Sequence, residues 1–142
     1  PDQALVDFLR RELAPSEFEV LATLPGAECV RAIRRARPDI AVIDRVHARR
    51  DVAEVEVAML RDARPEARII LALGLVAHNA VLAGLTLQRS ACKFAHGARH
   101  VLPDGRILHD SYHCSRYNTQ TRRLTEPAFH AVFEAIRADL KN

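Results

Sequence analysis

The sequence predicts an α/β fold, a three-layer α/β/α sandwich around a mainly parallel central sheet. Short apolar runs alternate with helical stretches about every 10–15 residues, which is typical of βαβ units. The runs over 40–43 and 69–73 lack polar residues, as buried parallel strands do. Right-handed crossovers then place helices on both faces of the sheet. The 142 residues, 49% of them apolar, suit a single domain with a real core.

The first part of the chain supplies three helices and two strands to this prediction. Apolar residues at helical spacing indicate a helix over 3–13, ended by Ala14-Pro15. A strand is predicted over 18–22, and a second helix over 27–36 with its arginines outside. The strand over 40–43 ends at Asp44. A third helix follows over 51–63.

The second part begins with a strand over 69–73, a turn at Gly74 and a helix over 75–84. Pro103-Asp104-Gly105 predicts a hairpin turn between two strands, the second continuing to Tyr112. The final helix starts at Thr125, a suitable N-cap, with Pro127 in its first turn. Its apolar residues recur at the spacing of a buried face.

Charge and cysteine usage narrow the function classes. The net charge is +3, but residues 1–66 carry −2 and residues 67–142 carry +5 with six of the seven histidines. A basic surface attracts phosphate, although +5 also suits an ordinary solvated surface. The three widely spaced cysteines form no metal-ligand pattern, so we predict no metal and reduced thiols in a cytoplasmic protein. No apolar run reaches the ~18 residues that a membrane span needs.

The most informative segment is 106–125, RILHDSYHCSRYNTQTRRLT. It begins as a strand and breaks into a loop with an imidazole, a hydroxyl and a carboxamide within six residues. Such a loop is built for hydrogen bonding. A plain polar connection between two elements is the alternative, because most connections in compact domains are polar.

HCSRYNTQTRRLT resembles the C-terminal signature of the uracil-DNA glycosylase superfamily, H-P-S-x-x-N, and most closely the iron–sulfur branch, HPSRQNTxTGRLT. The similarity extends from about residue 68 to 140 through IILALGLVAHNAVL and KFAHGARHVLPDGRILHDSYH. The resemblance implies that His113 is the catalytic donor to the uracil as it leaves as an anion. It also implies DNA contacts from the loop, with Ser115 and Asn118 touching phosphate or holding the loop. The basic residues able to reach phosphates are Arg116, Arg122 and Arg123.

The chain departs from the family pattern in ways that bear on activity. Cys114 replaces the proline of the signature, and Arg122 replaces its glycine. Three cysteines are too few for the four-cysteine iron–sulfur cluster, so no cofactor is expected. The GxAPG-type segment that activates water in the family is not found in this sequence. We therefore expect weak or no base excision, with His113 as a donor for which the sequence identifies no partner.

Residues 1–66 resemble a response-regulator receiver domain without its first strand, chiefly through ARPDIAVID. In that resemblance Asp44 takes the phospho-acceptor position, but the acidic pair, the switch threonine and the lysine of receivers have no clear counterparts. A loop or cap role is the alternative for Asp44. The chain would then be one composite domain, 1–66 receiver-like and 67–142 glycosylase-like, recombined naturally or by engineering. The missing strand leaves a sheet edge through which a homodimer is a further expectation.

Three functions follow as hypotheses. The first is a uracil-DNA glycosylase-like fragment, a DNA N-glycosylase by resemblance, with weak, salt-sensitive DNA affinity and no membrane contact. The second is a non-catalytic recombined scaffold, and the third is a degenerate receiver. Structural roles are predicted for His78, at helical spacing between apolar residues, and for His96. Tyr117 is expected either to stack or wedge against DNA or to pack half-buried.

Overall fold

A computed structural model describes residues 3–12, 35, 38–44 and 68–142. Labels below number the helices and strands within these residues. A 3₁₀ turn, Arg89–Ala91, follows α2. The helices and strands are, in chain order, α1 Gln3–Glu12, β1 Ile40–Asp44, β2 Ile69–Leu73, α2 Leu75–Gly84, β3 Arg99–Val101, β4 Ile107–Ser111, α3 Arg116–Gln120 and α4 Glu126–Lys141.

The four described strands form one sheet in the order β1-β2-β4-β3. β1 pairs in parallel with β2, and β2 pairs in parallel with β4, in register from Ile69 opposite Ile107 to Leu73 opposite Ser111. β3 pairs antiparallel with β4. The mainly parallel sheet predicted from the apolar runs is therefore confirmed.

β2 is an inner strand of the described sheet, and all five of its residues are buried. Because side chains alternate along a strand, Leu71 packs with α1 and α4, whereas Ile70 packs with α2 on the opposite face. Phe8 of α1 and Phe129 of α4 meet with ring centroids 5.3 Å apart. Helices thus cover both faces, as the predicted three-layer sandwich requires.

The predicted hairpin and the predicted start of the final helix are both confirmed. Leu102 N donates to Arg106 O at 2.8 Å, and Gly105 N donates to Leu102 O at 2.9 Å. Gly105 has φ +85°, which glycine adopts without the steric cost that a side chain would add. Thr125 Oγ1 accepts from Ala128 N at 3.3 Å and so caps α4.

The segment around His113 differs from the sequence prediction in two respects. β4 ends at Ser111, one residue before the predicted end at Tyr112. The region expected to be an irregular polar loop contains the short helix α3. Ser115 is the reason, since its side chain accepts from Asn118 N at 3.3 Å as an N-cap.

A partly buried ion-pair network joins the last turns of α4 to the sheet. Asp139 accepts two hydrogen bonds of 2.8 Å from the guanidinium of Arg99. It also contacts Nε2 of the buried His109 at 2.8 Å. The hydrogen bond from Arg99 is the main reason that the pKa of Asp139 lies below its ordinary value. Burial lowers the pKa of His109, so its neutral form, with Nε2–H donating to Asp139, is favoured.

Several sequence predictions fall outside the described residues. These are the strand over 18–22, the helix over 51–63, and the helix over 27–36 apart from Arg35, which is helical. The homodimer predicted from a missing strand stays a prediction. No helix in the described part of the chain combines the length and the apolar character needed to span a bilayer.

Candidate functional site

Three parallel strands end at the same edge of the sheet, and each brings one residue to the candidate site. Asp44 is the last residue of β1, Gly74 directly follows β2, and His113 lies two residues beyond the end of β4. Since β1, β2 and β4 are neighbours and all parallel, their carboxyl ends lie side by side. Ligands of open α/β sheets bind at this edge.

The central contact of the site joins His113 to Asp44. His113 Nε2 lies 2.8 Å from Asp44 Oδ1, and the two side chains are 19% and 18% exposed. A carboxylate only accepts, so Nε2 carries the proton and donates it to Asp44. The structure thus gives His113 a partner that the sequence did not identify. The expectation that Asp44 is a loop or cap residue is wrong, because Asp44 is the last residue of β1 and faces the imidazole.

Gly74 allows His113 to approach the end of β2. Its φ is +92°, in the region that favours glycine, and its N–H donates to Ser111 O at 2.8 Å. A Cβ added to Gly74 would lie 3.4 Å from His113 Cβ. That distance is ordinary van der Waals contact, so the positive φ is the main reason that this position favours glycine.

The two polar residues predicted to touch phosphate or to hold the loop are both used inside the loop. Asn118 Nδ2 donates to His113 O at 2.9 Å, which fixes the backbone carrying the imidazole. Ser115 caps α3 and so sets the direction in which that helix leaves His113. Contact of either residue with DNA stays a prediction.

The basic and aromatic residues around α3 face solvent. Arg116 and Arg122 are exposed, and Tyr117 is 69% exposed, so the half-buried alternative for Tyr117 is wrong. Arg123 lies over a ring instead, with its Cζ 4.6 Å from the centroid of Tyr112. Arg123 is nevertheless exposed to solvent in this cation–π contact.

Tyr112 is also held by His96. The two rings stack with centroids 5.0 Å apart and planes 17° apart. Tyr112 N donates to His96 Nδ1 at 3.1 Å, which makes Nδ1 the acceptor nitrogen of that imidazole. The structural role predicted for His96 agrees with this geometry.

Two residues that depart from the family pattern have distinct local environments. Burial, followed by the charge of Asp44, raises the pKa of the Cys114 thiol to about 12, so this cysteine is protonated and a poor nucleophile at neutral pH. Arg122, which stands where the resembled signature has glycine, has φ +57°. The backbone of Arg122 thus has the left-handed conformation that glycine favours, and a residue with a Cβ adopts it only with strain.

Sequence reasoning missed a second polar cluster, which lies on the α2 side of the sheet. His78 is buried on α2, as its helical spacing predicts, and Nδ1 lies 2.8 Å from Oδ1 of the fully buried Asp110. His100 Nε2 lies 3.3 Å from the other carboxylate oxygen. The one available signal was the charged Asp110 within a predicted strand, since buried charges are nearly always paired.

Comparison with known proteins supports the glycosylase resemblance. No protein family model matches the chain. A type-5 uracil-DNA glycosylase of Thermus thermophilus is 49% identical over 85 residues, which are 59% of this chain and 37% of that protein. The chain thus resembles the uracil-DNA glycosylase superfamily over part of its length and matches well under half of that relative. The comparison lends no support to the receiver-like origin of residues 1–66.

Proposed function

We propose that this chain is a uracil-DNA glycosylase-like segment that contacts DNA through the His113 loop and has weak or no base-excision activity. Support for the substrate class comes from the similarity to a protein named a type-5 uracil-DNA glycosylase. That similarity covers 37% of the relative, so DNA as a partner of this chain belongs to the proposal. The contact between His113 and Asp44 is the observation on which the proposal chiefly rests.

His113 has the chemistry expected of a donor to a leaving base. Cleavage of the N-glycosidic bond places negative charge on the uracil oxygens, and a fixed N–H aimed at that charge stabilises the transition state. The backbone of His113 is held by Asn118, and its ring sits at the carboxyl edge of the sheet. A rigid backbone keeps the imidazole oriented before the substrate arrives, which is what electrostatic stabilisation needs.

Asp44 explains why this donor would be weak. Its carboxylate already accepts the Nε2 proton of His113 at 2.8 Å, so a departing uracil oxygen would compete with an anionic acceptor for that N–H. Base excision therefore requires the Asp44 carboxylate to be displaced, or to be neutralised. The printed sequence also contains no GxAPG-type segment to activate water.

The exposed residues of α3 suit a nucleic-acid contact. Arg116 and Arg122 supply positive charge, and Tyr117 presents most of its ring to solvent beside them. Guanidinium groups contact phosphates without regard to sequence, while an exposed ring stacks on an unpaired base. Binding of this kind weakens steeply as salt rises, because it releases counterions from the DNA.

Two measurements on one labelled oligonucleotide containing a single uracil test the proposal. Anisotropy at low salt should show binding that falls with added salt, and that Arg116→Gln weakens while Arg89→Gln, an exposed cation outside the loop, does not. Alkaline cleavage after long incubation should show little or no excision. Efficient turnover abolished by His113→Ala would contradict the weak-activity part, and no binding at low salt would contradict the DNA contact.

The phosphoryl-acceptor alternative gains no support from the site. Asp44 is engaged by the imidazole of His113. The non-catalytic scaffold differs from our proposal only in lacking DNA affinity, so the anisotropy measurement separates the two.

A further inference from the structure

The buried cluster of His78, Asp110 and His100 lies on the α2 face of the sheet, away from the chemistry assigned to His113. His78 comes from the first turn of α2, with its N–H bonded to Gly74 O at 3.0 Å. Asp110 comes from the middle of the sheet, and His100 comes from β3. One ligand atom from each residue lies within 4.8 Å of the other two. We propose that these three side chains form a site for a divalent transition metal of the zinc class.

The donor set has the right chemistry for that ion. Two imidazole nitrogens and one carboxylate oxygen are ligands that zinc accepts, at bond lengths of about 2.0–2.2 Å. Ligand atoms around such an ion stand about 3.3 Å apart in tetrahedral geometry. The cluster has Nδ1 of His78 and Nε2 of His100 at 2.8 and 3.3 Å from the two oxygens of Asp110. The three ligand atoms lie within 4.8 Å of one another, so they would have to approach each other by up to about 1.5 Å to surround an ion.

The tautomer of His78 is set by its second hydrogen bond. Nε2 lies 3.1 Å from Cys92 O, and a carbonyl oxygen only accepts, so Nε2 carries a proton. Metal-binding histidines usually donate their other N–H to an acceptor of this kind, which fixes the ring for coordination. Nδ1 faces Asp110 Oδ1, and an ionised carboxylate also only accepts, so the metal-free ring carries a proton on each nitrogen. On metal binding Nδ1 releases its proton to solvent and becomes the ligand atom, while Nε2 keeps its proton.

The carboxylate of Asp110 is held rigidly inside the protein. Its side chain is fully buried, and its backbone is fixed by Asp110 N donating to Ala98 O at 3.0 Å and Gly97 N donating to Asp110 O at 2.9 Å. His78 packs edge-on against Phe94, with ring centroids 5.6 Å apart. His100 is 19% exposed, so the ion would enter from its side and keep a water as fourth ligand.

Cobalt titration of the metal-free 142-residue chain tests the site, because Co²⁺ replaces zinc and reports coordination number through its visible absorption. We expect one equivalent to bind with the intense bands of a four-coordinate complex, and equimolar Zn²⁺ to displace it. The melting temperature should rise by several degrees with Zn²⁺, since a ligand of the folded state shifts the folding equilibrium.

His100→Gln is the discriminating variant, because a partly exposed glutamine can still donate to Asp110 while being a poor zinc ligand. It should fold, and its Co²⁺ affinity should fall by about 100-fold. His130→Gln, a histidine of α4 outside the cluster, is the matched control and should bind as the parent does. Absence of the four-coordinate bands with excess Co²⁺ would overturn the proposal. The same bands with unchanged affinity in His100→Gln would overturn it as well.

Discussion

Asp44→Asn is the substitution that tests the proposed role of this residue in the candidate site. It keeps an acceptor for the His113 N–H but removes the negative charge that faces the imidazole at 2.8 Å. Hydrogen bonds to charged groups contribute about 1.5–3 kcal/mol and neutral ones about 0.5–1.5 kcal/mol. Because both side chains are about one-fifth exposed, we expect a loss of about 1 kcal/mol in the free energy of unfolding.

The same substitution should strengthen DNA binding. A phosphate held about 8 Å from the carboxylate, at an effective dielectric constant of about 40, is repelled by about 1 kcal/mol. Removing the charge should then tighten binding about fivefold at low salt, since a factor of 10 corresponds to about 1.4 kcal/mol. Excision, if any, should rise or stay constant, because the neutral amide of the variant competes less well with the uracil anion for the imidazole N–H.

Fluorescence anisotropy with a uracil-containing oligonucleotide and urea unfolding measure the two effects. Asp39→Asn is the matched control, because this exposed carboxylate precedes β1 and lies at the opposite end of the same strand. The reasoning is refuted if Asp44→Asn binds DNA no better than Asp39→Asn. Loss of an excision activity present in the parent would instead mean that the Asp44 carboxylate assists excision, as a base or by orienting the His113 imidazole.

Three further outcomes are expected. Arg122→Gly should raise the free energy of unfolding by about 0.5 kcal/mol, because relief of a left-handed strain of about 1–2 kcal/mol exceeds the entropy cost of glycine. Arg122→Ala, measured in the same urea experiment, should give no gain. Because the pKa of Asp139 is lowered in the folded state, its contribution to stability is present above about pH 3.8 and is lost as pH falls toward the folded-state pKa. In Asp139→Asn the free energy of unfolding should therefore fall less with decreasing pH than in the parent, as measured by unfolding at a series of acid pH values. Alkylation of Cys114 at pH 8, followed by peptide mapping, should be about 30-fold slower in the folded than in the urea-unfolded protein. A pKa of about 12 lowers the thiolate fraction about 1000-fold. The thiolate of a thiol with a higher pKa is more nucleophilic, which restores part of the rate. Comparable rates in the two states would contradict the last expectation.

The site and the second cluster differ in how far local sequence could predict them. The polar loop at 113–118 was predictable, because the apolar run of the strand before it and the cluster of polar residues within it are local patterns. The helix α3 was missed because five residues provide too little periodicity, although Ser115 three residues before Asn118 is a capping arrangement. The hairpin at Gly105 was predictable because turn residues act within four positions.

The sequence by itself determined the parallel α/β architecture, the cap at Thr125 and the polar segment that carries His113, since each depends on neighbours a few residues apart. Only the tertiary structure decided that Asp44 faces His113 across 69 residues and that His78 meets Asp110 across 32. Both pairs depend on strand order: β1 and β4 flank β2, and α2 covers the face onto which Asp110 projects. Hydrophobic patterning predicts which elements are buried, but the contact that a polar side chain makes depends on which elements become neighbours.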